Sequence, residues 1–164
     1  MMKKLILSAF VALVGLAQAD AQSLYKTVYE KANAQVNSAQ TSAEQLEISR
    51  FEVTVLNYIQ AQVTKRGLKK DGYFYDSQAV NLKSFVDDFL YYVSKARKIS
   101  DAKRKEVIAC YREASLKNPL FNDLDKERTY CFVNDTRTFT PFSLDTDWEK
   151  AYEQATAKIG TIIK

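Results

Sequence analysis

From residue 43 to residue 117 apolar side chains return every three or four positions in three successive segments, with helix-starting and helix-stopping residues between them. That spacing gathers them on one face of an α-helix, so each segment has a stripe to bury against the others. The first of the three begins near Ala43, after the overlapping capping boxes Thr41-x-x-Glu44 and Ser42-x-x-Gln45. Its stripe is Ile48, Phe51, Val55, Ile59 and Val63, with Leu56 beside it, although the piece FEVTV also alternates like a strand. Lys65-Arg66-Gly67 ends it, with cations at the negative helix terminus and glycine at the left-handed stop. Asp71-Gly72 reads as a turn within the loop KKDGYFYD. The most regular stripe follows from about Ser77 to Lys98: Leu82, Phe85, Val86, Phe89, Leu90, Val93 and Ala96. Lys83 and Asp87 fall on its opposite side, where replacement is expected to cost little. A segment capped by Ser100 carries Val107, Ile108, Tyr111 and Ala114 inward and stops at Asn118-Pro119.

Two more helices flank these. Ser23 is placed to cap one running to about Ala39, with Tyr25, Val28, Tyr29, Ala32, Val36 and Ala39 as its stripe. Thr146-x-x-Glu149 opens the last, which aligns Trp148, Ala151, Tyr152, Ala155, Ile159 and Ile162. Before it, TYCFV and TRTFT lie either side of Asn134-Asp135 and read as a small β-hairpin over residues 129–140. The expected fold is mainly α, a bundle of about five helices with that hairpin inserted before the C-terminal helix. Only four glycines and two prolines in 164 residues agree with helices over a strand-rich sandwich.

The N-terminus follows a different logic. Met1-Met2-Lys3-Lys4 is positive, Leu5 to Leu16 is a run of twelve largely apolar residues, and small-x-small sites follow at Ala17-Gln18-Ala19 and Ala19-Asp20-Ala21. This is the pattern of a cleaved secretory signal peptide. A membrane-spanning helix needs roughly 20 apolar residues, more than the run supplies. Residues 1–21 are therefore expected to be the signal and 22–164 one helical domain. Export would be to a bacterial periplasm or the medium, without a lipid anchor or a membrane span in the mature chain. Without Lys3, Lys4 and Asp20 the 24 basic and 20 acidic residues become 22 and 19, a net +3 that calls for no polyanionic partner.

The chain has no histidine. Ser-His and Cys-His nucleophile arrangements and imidazole-dependent zinc sites are thereby removed. Its four glycines do not cluster into a phosphate loop. Carboxylates, tyrosines and lysines remain available for catalysis. Asp123-x-Asp125-x-Glu127 has the alternating oxygens of a calcium loop but no glycine at the sixth position and Asn134 at the twelfth. The acids of Asp145-Thr146-Asp147-Trp148-Glu149 suit a helix start better than a metal. No cofactor or metal site is expected.

Cys110 and Cys131, with 20 residues between them, are the two cysteines. In an oxidising compartment they could form one disulfide tying the fourth helix to the hairpin; buried free thiols and a redox pair are the alternatives. Lys95, Arg97, Lys98, Lys103, Arg104 and Lys105 crowd one inter-helix corner and offer an anionic surface. Without interleaved aromatics they read more simply as solvated charge, and nucleic acid is not expected. Tyr73, Phe74 and Tyr75 could line a sugar or peptide groove, or fold back and plug the end of the bundle. The function these residues suggest is a non-enzymatic binding or structural module, its partner an envelope or secreted component. A small carboxylate- and tyrosine-based enzyme and a carrier of apolar ligands are the alternatives.

Overall fold

The computed structural model describes residues 23–124 and 142–164. They form five α-helices: α1 (Leu24–Val36), α2 (Ala43–Lys65), α3 (Gly72–Arg97), α4 (Asp101–Lys117) and α5 (Trp148–Ile162). The fold is mainly helical, as the stripes require. The described residues contain no strand, and the hairpin expected at 129–140 lies outside them. No helix among the described residues is long and apolar enough to cross a membrane.

Every helix starts where a short polar side chain accepts a first-turn amide: Ser23, Ser42, Asp71, Ser100 and Asp147 take the N–H groups of Lys26, Gln45, Phe74, Lys103 and Lys150. Two of these caps correct the sequence reading. Asp71-Gly72 is not a turn but the N-cap and first residue of α3, so the helix starts at Gly72 rather than near Ser77. Asp147, not Thr146, caps α5. Thr146 is fully buried, its hydroxyl 2.8 Å from Ser115 Oγ and donating to the Ser143 carbonyl. α1 stops at Val36, short of Ala39, where Asn37 folds its amide back to the Asn33 carbonyl. At the end of α2, Gly67 takes φ +60°, and the Leu68 and Gly67 amides close onto the carbonyls of Val63 and Thr64. That is the glycine stop expected there.

α3 packs against all four other helices, while α2 and α3 approach each other only narrowly. Phe142 fills the space between them. Its fully buried ring lies 5.9 Å from Phe51 on α2, and 5.1 and 5.0 Å from Phe85 and Phe89 on α3. Trp148 meets Phe51 and Phe85 edge-on, and Tyr111 of α4 meets Phe85 and Phe89. Edge-to-face pairs of this kind add to the apolar area each ring buries.

The chain on either side of residues 125–141 is held by buried carboxylates. Asp145 accepts the amides of Phe121 (2.8 Å) and Asp123 (2.7 Å), which the left-handed Asn122 between them (φ +51°) turns the same way. Asp123 in turn accepts the Tyr58 hydroxyl and the Gln62 amide, both at 2.8 Å. Arg66 lies over the Phe121 ring and donates to its carbonyl. Phe142→Ala and Phe85→Ala should each lower stability by about 3–5 kcal/mol in chemical denaturation, whereas Tyr73→Ala, at a position 75 % exposed, should stay within about 0.5 kcal/mol.

Candidate functional site

Glu52 stands on the buried stripe of α2, four residues after Ile48 and three before Val55, yet it carries a carboxylate. It is 2 % exposed, and its Oε1 makes no hydrogen bond. The nearest cation is Lys83 on α3, whose Nζ is 3.7 Å from Oε1 and also pairs with Asp87 one turn along. Burial pushes the Glu52 carboxyl above its ordinary value. Lys83 and, more weakly, Lys31 pull it down, and Asp87 adds to the rise. The other buried carboxylates contrast with it, since Asp145 and Asp123 are both bonded by N–H or O–H donors. A desolvated carboxylate paired only with a partly exposed lysine makes this place the candidate site.

A cleft of about 310 Å³ opens beside it between α1, α2 and α3. Thr27, Lys31 and Gln35, one turn apart along α1, form one wall together with Val28 and Ala32; Gln45 and Glu52 of α2 and Lys83 of α3 form the rest. The roof is fixed at both ends. Near the N-terminus of α1, the Tyr25 amide donates to Asp76 Oδ1 (2.8 Å), its hydroxyl donates to the Leu56 carbonyl (3.1 Å), and its ring meets Tyr75 edge-on. Burial and the neighbouring tyrosines push the Tyr25 hydroxyl up to about 12, so it stays a donor at neutral pH. At the other end Gln35 Oε1 accepts from Ser49 Oγ (2.8 Å) and Gln45 Nε2 (3.2 Å), and Thr41 donates to the Gln35 carbonyl. Between these ends Val28 and the buried Ala32 add apolar lining to the polar groups of the cleft.

The residues singled out in the sequence lie elsewhere. Tyr73, Phe74 and Tyr75 belong to the first turn of α3, not to a loop. Phe74 and Tyr75 are half-buried against the core, which is the plug reading, and Tyr73 faces solvent. In the basic corner Lys103 pairs with Glu106 and Arg104 with Asp101, while Lys95, Lys98 and Lys105 are exposed. Arg97 and Arg104 border a second groove of about 350 Å³, whose apolar lining includes Leu90, Val93 and Ile108. Cys110 is a buried free thiol on α4, its pKa pushed up by burial; Cys131 lies outside the described residues, as do Asp125 and Glu127. Among the described residues no group of acids and cysteines is arranged to hold a metal ion.

Lys83 is the clearest correction. Expected to be inert on the solvent side of α3, it is one-third exposed and sits against the buried carboxylate. The raised pKa of Glu52 means that the native state holds this proton more tightly than the unfolded chain. Stability therefore falls as pH rises from the ordinary carboxylate value through the raised one, and the cost is complete above it. Glu52→Gln should raise the thermal midpoint at pH 7, with the gain fading as the pH is lowered into the ordinary carboxylate range. Lys83→Met should do the opposite. It should cost about 1–3 kcal/mol at pH 7, less than for a fully buried pair because Lys83 is partly solvated, and little once Glu52 is protonated. Thermal melts across pH 3–8 read both.

Comparison of the chain with protein-family models, with curated proteins and with solved structures finds no match.

Proposed function

We propose that this protein is an exported, non-enzymatic binding module that holds a small polar ligand in the cleft beneath α1. The observation that carries the proposal is Glu52: a buried carboxylate oxygen without a hydrogen-bond donor, at the edge of a cleft that also presents Lys31 and Lys83. A volume of about 310 Å³ is at the lower end of what small-molecule sites use. The lining supports binding over catalysis. Glu52 is the single carboxylate among the cleft residues, so the paired acid and base of a histidine-free hydrolase are missing from this cleft. Carriage of an apolar ligand draws support from the second groove alone, and there Glu44, Arg97 and Arg104 interrupt the apolar lining.

Export rests on the positive start, the twelve-residue apolar run and the small-residue cleavage sites. The mature chain should begin at Gln22 or Asp20, and intact mass from the exporting cell checks it; full-length chain recovered in membranes would overturn export. Alkylating the same sample without reductant reads the cysteines. Two alkylated thiols match the free Cys110, and none reveals a Cys110–Cys131 disulfide closing a 22-residue loop. Binding is tested by mass spectrometry of small molecules released from native protein and from Glu52→Gln. A polar molecule enriched on the native protein alone is expected, and identical extracts would overturn the binding reading.

A further inference from the structure

We infer that the ligand of this cleft is a small zwitterion, with an ammonium group placed at Glu52 and a carboxylate placed at Lys31. The inference rests on the cleft being a binding site and names what it binds.

Glu52 Oε1 is a buried acceptor with no donor within hydrogen-bond distance. Lys83 stands at 3.7 Å, beyond a hydrogen bond, and its ammonium is shared with Asp87 on the solvent side. A ligand ammonium arriving at Glu52 can displace Lys83 without stranding it, because Asp87 remains to pair with it. The charge on Glu52 is then met by a donor that can close to bonding distance, which strengthens a charged hydrogen bond in a desolvated place. A neutral hydroxyl would leave that charge uncompensated once Lys83 had moved.

The opposite wall calls for the opposite charge. Lys31 lines the cleft from α1 and has no ion-pair partner among the described residues, although its field reaches Glu52. A simple cation bound at Glu52 would lie against Lys31 and be repelled. A simple anion bound at Lys31 would leave Glu52 as it is and be repelled by it. A molecule bearing both charges answers both walls. Between them the Gln35–Gln45–Ser49 bonds use the amide oxygen of Gln35 and the amide nitrogen of Gln45. The Gln35 nitrogen and the Gln45 oxygen are left to meet polar atoms along the ligand.

The test is a titration of the mature protein, followed by amide chemical shifts, with glycine, β-alanine, 4-aminobutyrate and 6-aminohexanoate. n-Butylamine, butyrate and glucose serve as the cation-only, anion-only and neutral arms. At least one amino acid should bind ten-fold or more tightly than butylamine and butyrate, shifting amides of α1, α2 and α3 around the cleft. Glu52→Gln and Lys31→Met should each weaken it ten-fold or more, while the thermal midpoint of Glu52→Gln stays at or above that of the native protein. Equal binding of butylamine and the amino acids, or Glu52-dependent binding of glucose alone, would overturn the zwitterion and leave the cleft as a binding site. No shift at the cleft with any probe would overturn both.

Discussion

Phe142 lets two helices that scarcely touch share one core. α2 and α3 bury more residues than the other helices described, and direct packing of one on the other would be the simple way to bury them. Instead the connector that returns to α5 inserts a ring between Phe51 on one side and Phe85 and Phe89 on the other. The ring holds the two helices apart and still closes the apolar contact. Trp148, six residues later, extends the same wedge at the start of α5. The placement of α5, and with it the contacts among α3, α4 and α5, depends on this insertion.

The insertion is kept in register by polar groups that could not be left bare. Asp145, Ser143, Thr146 and Ser115 are all buried, and each has a bonded partner in the stretch that runs into α5. An unbonded group there would cost about as much as a core methyl deletion, so the connector has few alternative paths. Residues 118–123 and 142–147 are thereby tied to one another, as the Asp147 amide on the Asn118 carbonyl also shows.

The sequence was most legible where one physical rule acted alone. Helical spacing of apolar residues located α2, α3, α4 and α5, and the glycine stop at Gly67 followed from backbone sterics. It was less legible where two rules competed for one residue. Asp71 before Gly72 satisfies turn chemistry and helix capping equally, and only the packing of Phe74 and Tyr75 against α1 and the core selects the cap. Thr146 fits a capping box, but a buried bond to Ser115 claims its hydroxyl and passes the cap to Asp147. Phe142, at the margin of a stretch rich in β-formers, gave no periodic signal of its central place. The cleft was hidden for another reason. Glu52 lies on the α2 stripe at a helical step from Ile48, and a charge in that series is the one sign that a cleft adjoins the core. Lys83 looks like any solvated lysine until α2 is laid beside α3.

α1 has consequences of a different sort. Ala32 is its only fully buried residue, while Tyr25, Val28 and Tyr29 pack half-buried against the core and hydrogen bonds are added near both ends. With only one fully buried residue, α1 is expected to open at a lower free energy than the aromatic core, a difference that amide hydrogen exchange reads. Opening of α1 alone would uncover Glu52 while Phe142 and its neighbours stay packed, and a ligand bridging Lys31 and Glu52 would oppose that opening.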